Sequence, residues 1–167
     1  MYLKKIISGG QSGADQAGLD AAIESDMEHG GFCPAGRKSE LGPIPEKYQL
    51  TEMGSDLYHL RTEKNVMESD ATIIFTRGKI SRGSKLTRDY CRKHNKHCLH
   101  IDFTRNVPHL VPYTIGFLNE YKIETLNIAG QRLTSQPGIY RLTFSFLIEL
   151  IQTLRNEEPQ ASAESKN

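Results

Sequence analysis

Tryptophan is absent from this chain and cysteine is scarce, with only Cys33, Cys91 and Cys98 among 167 residues. Three cysteines cannot form a complete disulfide framework, so a reducing cytoplasm is the expected compartment. There is no apolar run long enough to span a bilayer and no secretory leader at the start, which excludes a membrane partner from the expectations. An excess of either charge is missing as well. The formal net charge is +1 with charged residues at 25%, so nothing in the balance calls for a nucleic acid or an anionic lipid surface. Nor is there an internal repeat, and the length fits one domain over residues 1–155 with a sizeable core. From Asn156 onward the sequence NEEPQASAESKN lacks the apolar content to pack, and a disordered tail over 156–167 is expected.

What is present is organised around Lys4 to Asp15, KKIISGGQSGAD. Ile6 and Ile7 predict a short buried strand, Gly9 and Gly10 a sharp turn, and Ser12 the cap of a helix running to about Ser25. Free N–H groups at such a helix start attract phosphate or another oxyanion. Gly10 and Gly13 permit close approach to the backbone, while Gln11, Ser12 and Asp15 offer polar side chains. The stretch reads either as a binding loop or as a turn that needed glycines, and its spacing does not separate the two. It matches neither GxGxxG nor GxxxxGK[ST].

Further along, Ala14, Ala17, Gly18, Ala21 and Ala22 give that helix a small-residue surface suited to close contact with a sheet. The Gly- and Pro-rich segment from His29 to Tyr48 predicts a long loop with at most one short strand near Gly31 to Cys33, which leaves Cys33 as the most accessible thiol. Thr62 is expected to cap a short helix ending near Ser69, and Ala71 to Thr76, ATIIFT, is the clearest buried strand. A turn over Arg77 to Gly83 leads into a helix from about Ser84 to His94. A strand at His97 to Phe103, a helix from Tyr113 to Tyr121, a strand at Thr125 to Ala129 and a helix from Gly138 to Leu154 follow. This alternation predicts an α/β, Rossmann-like domain whose mainly parallel sheet has helices on both faces and ligands at the carboxyl ends of its strands. The last helix carries apolar residues on two sides, so a second copy of the chain, in a dimer or tetramer, is expected to cover one of them.

The second turn, RGKISRGSKLT, repeats the strand-glycine-helix pattern with added positive charge. Gly78 and Gly83 allow close approach, Ser84 caps, and Arg82 and Lys85 can meet an anion. If the first strand neighbours Ala71–Thr76, both loops border one crevice. The run Cys91, His94, His97, Cys98 passes from a helix end into a strand beside several cations and is not expected to bind metal.

Four motifs in order then carry a resemblance: GGQSGAD, Arg61-Thr62-x-x-Asn65 before Ser69-Asp70-Ala71-Thr72, Gly83-Ser84-x-Leu86-Thr87, and Asn127-Ile128-Ala129-Gly130-x-Arg132. Together they resemble the molybdenum cofactor carrier family, in the superfamily that also holds the lysine-decarboxylase-like, cytokinin-activating hydrolases. The resemblance spans roughly Ile6 to Ile151. It implies a Rossmann-like fold, homo-oligomers, and binding of the molybdenum cofactor (molybdopterin) or of molybdate. On it, a phosphate or oxyanion would sit near Gly9 to Gly13 or Gly78 to Thr87, with Arg61, Asn65 and Arg132 serving the pterin edge or a second oxyanion. The related hydrolases carry PGGxGTxxE with a supporting glutamate; here Arg82 and Ser84 replace Gly and Thr, and Thr87 stands at the glutamate position. Gln131 also stands where the carriers usually have proline. Binding without a catalytic residue is therefore the first expectation, and an enzyme or sensor for a nucleotide-derived ligand, with Asp15 as its acid, is the alternative.

Overall fold

Five strands pair in parallel to form the central sheet, whose inner strands carry the apolar runs that burial on both faces requires. The computed structural model describes residues 2–157. In chain order the main elements are β1 (Lys5–Ser8), α1 (Ala14–Glu24) and β2 (Glu28–Gly30), then a segment containing β3 (Phe32–Cys33), β4 (Lys38–Ser39), β5 (Gly42–Pro43) and β6 (Thr51–Glu52). After these come α2 (Tyr58–Glu68), β7 (Ala71–Thr76), α3 (Arg82–Lys93), β8 (His97–Asp102), α4 (Leu110–Glu120), β9 (Thr125–Gly130) and α5 (Ile139–Asn156). The sheet order is β2-β1-β9-β7-β8, so the last strand in sequence occupies the centre. The expected α/β, Rossmann-like class is the fold found.

All six residues of β7 are buried, between β9 and β8. Helix α1 lies close to the sheet because its inner surface is small. A Cβ on Gly18 would come within 2.8 Å of Ile128 Cβ, closer than side-chain carbons pack, so glycine sets that helix-to-strand distance. The main core joins Ile6, Ile73, Phe75, Leu126 and Ile128 of the sheet to Leu147, Leu150 and Ile151 of α5.

Several boundaries and contacts differ from expectation. Helix α2 starts four residues before Thr62, whose hydroxyl donates to the Tyr58 carbonyl at 2.9 Å inside the helix instead of capping it. Ser81, not Ser84, caps α3 by accepting from the Ser84 N–H at 3.1 Å. Pro112 sits inside the first turn of α4, where a missing N–H costs nothing, so that helix begins earlier than Tyr113. The segment read as a loop folds into short strands held by Arg37, which donates to the carbonyls of Ile44, Pro45 and Tyr48 at 2.7 to 3.0 Å. Cys33 is fully buried there with Leu19, Ile44 and Tyr48, and burial pushes its thiol up, so it is not the accessible cysteine.

Much of the apolar surface of α5 is packed within the chain. Ile139, Phe146, Leu147, Leu150, Ile151 and Leu154 are buried, and no large apolar side chain of this helix is among the exposed ones. Within the chain α5 packs against α1 and α4, and Tyr140, Leu142, Phe144 and Ile148 stay half-buried. Residues 158–167 of the expected tail lie outside the described residues, while α5 runs on to Asn156. Among the described residues no helix is long and apolar enough to cross a membrane.

Candidate functional site

The carboxyl ends of β1 and β9 and the first turns of α3 open on one cavity of about 110 Å³. The expected pairing of the first strand with Ala71–Thr76 does not occur, because β9 lies between them. The two glycine-containing loops nevertheless border the same cavity, facing each other across Asn127 to Gly130 at the end of β9. Gly9, Gln11 and Asp15 line one side and Gly83, Ser84 and Thr87 the other, while Tyr58, His59, Arg61 and Thr62 descend from α2 and Arg132 closes the circuit.

Arg61 and Asp15 are the charged pair at its floor. Arg61 Nη1 lies 3.1 Å from Asp15 Oδ2, and both side chains are nearly buried. The guanidinium lies flat over Gly9: a Cβ there would stand 1.5 Å from Nη1, so this position has room for glycine alone. Burial pushes the Asp15 carboxyl above the ordinary 3.8, against the opposing pull of Arg61, the Gln11 N–H and Arg132. Arg132 stacks over the Tyr58 ring at 5.1 Å, with Arg61 5.9 Å from the same ring.

Gln11 is 3% exposed and its amide orientation is fixed. The side-chain oxygen accepts from Ser12 N at 3.1 Å and Glu40 N at 3.0 Å, which leaves the nitrogen to face elsewhere. Gln11 Nε2 and Arg61 Nε are both buried without a protein partner, on side chains that line this cavity. Two desolvated donors beside two guanidinium groups make a place for an acceptor that carries negative charge.

The other expected site residues divide. Gly83, Ser84 and Thr87 line the cavity, and Arg82 and Lys85 line an adjoining groove of about 730 Å³ with Leu57, Tyr58, His59 and Leu86. Gly10, Ser12, Gly13 and Gly78 do not line it. Gly10, at φ 73°, packs under Leu50 and Ile44. Gly13, at φ 88°, packs under the Gln131 carbonyl, which also accepts from Ala14 N at 3.1 Å. In the loop ahead of α1 the Gly10 N–H goes to Ser8 and the Gln11 N–H to Asp15, and at the helix start the Ala14 N–H goes to the Gln131 carbonyl and the Gln16 N–H to the Gln11 carbonyl. Ser12 instead ties two loops, donating to Glu40 and accepting from Leu133 N. Gly78 donates to Asp102 in a turn away from the cavity. Asn65 reaches the cavity wall, but its amide exchanges two hydrogen bonds of 2.9 Å with the Phe32 backbone and holds β3 in place. Tyr58 and His59 carry no sequence signal of a site, and Thr62 and Asn127 stand in the quoted motifs without having been assigned to it. Asn127 is a polar residue within an apolar strand, and Tyr58 and His59 lie in the turn of α2 ahead of the expected cap at Thr62.

The metal-like run divides as well: the Cys91 and Cys98 side chains meet, while the two histidines turn elsewhere. Cys91 is buried on α3, His94 bonds Glu63 at 2.7 Å, and His97 stacks on Tyr121 with ring centroids 3.8 Å apart.

A parallel sheet covered on both faces, with a donor-lined cavity at its carboxyl edge, defines a Rossmann-like domain. The chain belongs to the circularly permutated YpsA SLOG family, whose family model matches residues 6–151. It is similar to a crystal structure from Syntrophus aciditrophicus SB named "Putative molybdenum carrier protein", at 43% identity and a TM-score of 0.85, covering 89% of this chain and 94% of that one. The resemblance carried by the four motifs is thereby borne out. No curated protein matches the chain.

Proposed function

We propose that this protein is a molybdenum-carrier-like binding protein whose cavity holds an oxyanion, either molybdate or the phosphate of the molybdenum cofactor. What carries the proposal is the pair of buried donors without protein partners, Gln11 Nε2 and Arg61 Nε, in a cavity that also presents Arg132. Charge-assisted hydrogen bonds to such donors contribute about 1.5–3 kcal/mol each. The donor set is nitrogen and hydroxyl, suited to oxygen acceptors; Cys33, the thiol expected to be most accessible, is sealed in a separate cluster. For the cofactor, Gln11, Arg61 and Arg132 would hold the phosphate. Leu57, Tyr58 and Leu86 in the adjoining groove would take the ring, and Arg82 and Lys85 would flank it. The bound cofactor would itself supply the metal and dithiolene chemistry; the chain's residues bind, orient and exclude water.

The name of the similar Syntrophus structure supports the molybdenum part of this proposal. Native mass spectrometry of protein purified gently from its own cells, followed by denaturing release, tests it. Molybdenum or a molybdopterin in proportion to the chain is the expected result, and a bound nucleotide without molybdenum is the contrary one. A nucleotide-processing enzyme is the second reading, favoured by Asp15, the one carboxylate lining the cavity among the described residues. It requires that Asp15→Asn abolish turnover and leave affinity intact.

A further inference from the structure

We propose that the cavity takes a doubly charged tetrahedral oxyanion together with one proton, the proton going to the Asp15 carboxylate. This rests on the oxyanion reading of the same cavity and adds how its charge is balanced. Asp15 lines the cavity beside Gln11, Arg61 and Arg132, and its Oδ2 already holds Arg61 Nη1 at 3.1 Å and the Gln11 N–H at 3.3 Å. An anion accepting from Gln11 Nε2 and Arg61 Nε would share one guanidinium and one residue's amides with that carboxylate.

The charged groups around Asp15 are few. Helix α2 presents Arg61 and, at the mouth, His59; the segment after β9 presents Arg132; α3 presents the neutral Ser84 and Thr87, and β9 the neutral Asn127. The next carboxylate on α1, Asp20, is taken by Tyr48, Tyr140 and Lys47, and Glu40 is taken by Ser12 and Thr134. Among the residues lining the cavity two guanidinium charges stand against one carboxylate, and Glu40 outside it offsets part of the Arg132 charge, so at most a single positive charge is left. A dianion would reverse that sign at a buried site where like charges cannot both stay ionised. Burial already favours the neutral acid at Asp15, so this is the group that accepts the proton. Once protonated, it changes from a competitor for Arg61 into a hydroxyl donor.

Calorimetric titration with sulfate, which remains a dianion at neutral pH, tests this in buffers of different ionisation enthalpy. The expected result is a buffer-dependent heat corresponding to uptake of up to one proton per sulfate, with affinity weakening by up to about tenfold per pH unit as pH rises. In Asp15→Asn the heat becomes independent of buffer, and sulfate binds about tenfold or more tightly at about pH 8. Binding without buffer dependence, or the same uptake in Asp15→Asn, overturns the proposal. Should that variant fail to fold, the buffer series on the unaltered protein decides alone. No heat with sulfate, molybdate or phosphate overturns the oxyanion reading itself.

Discussion

At the scale of single residues, the site is a contest over one guanidinium. Arg61 is held by Asp15, laid over Gly9 and left with a buried Nε that has no protein partner, so each of these positions has a separable effect. Arg61→Met leaves Asp15 buried without its partner and is expected to lower stability by about 3 kcal/mol and to abolish measurable oxyanion binding. Adding Asp15→Asn should restore most of the stability, read by urea denaturation, but not the binding. Gly9→Ala should displace the guanidinium and weaken sulfate binding at least tenfold, about the effect of one lost charge-assisted bond. Unchanged affinity in that variant would contradict the placement of Arg61. Asp15 also sets a pH dependence on folding. Its folded-state pKa lies above the ordinary 3.8, so the stability it contributes is complete below that value and is lost as pH rises through the folded pKa. The stability gap between Asp15→Asn and the unaltered protein should therefore shift toward the variant over that rise.

At the scale of elements, the segment between β2 and α2 is a packed lid on α1 rather than a free loop. One of its ties to the rest of the chain is Glu40, which accepts from Ser12, from Thr134 N at 3.3 Å and from Thr134 Oγ1 at 2.6 Å. Burial pushes that carboxyl up, but these hydrogen bonds and the Arg132 charge outweigh it and hold it below the ordinary 4.5. The sign is opposite to that of Asp15: Glu40 stabilises above 4.5, and the contribution is lost as pH falls through its folded value. Glu40→Gln is expected to cost about 1 kcal/mol and to speed amide exchange over β4 and β5, because the amide replaces an acceptor by a donor. Exchange unchanged from the unaltered protein would show that the segment is held elsewhere. This is also where the sequence was least legible. The order and type of the long elements followed from apolar runs and glycine turns, and Gly9, Gln11, Asp15, Arg61, Gly83, Ser84, Thr87 and Arg132 were placed together by motif. Periodicity could not reveal that Arg37 staples three carbonyls, or that Gln131 closes over Gly13 and caps the first helix, since both depend on residues far apart in the chain.

At the scale of the whole molecule, the late arrival of β9 governs both folding and site. Lys5 pairs with Thr125 and Ala71 with Leu126, so β1 and β7 meet only through a strand contributed near the end of the chain. A fragment ending at Glu124 is therefore expected to lack cooperative unfolding and native near-ultraviolet dichroism, whereas a fragment with an independent N-terminal half would retain both. The same strand brings the two glycine-containing loops to opposite sides of one cavity, and the central claim is that this cavity holds an oxyanion. Anomalous diffraction from crystals soaked in tungstate, a heavy stand-in for molybdate, tests that claim most directly. The account predicts a tungsten peak within hydrogen-bond reach of Gln11 Nε2 and Arg61 Nε, lost in Arg61→Met. A peak elsewhere with this cavity empty, or no peak at all, would contradict it.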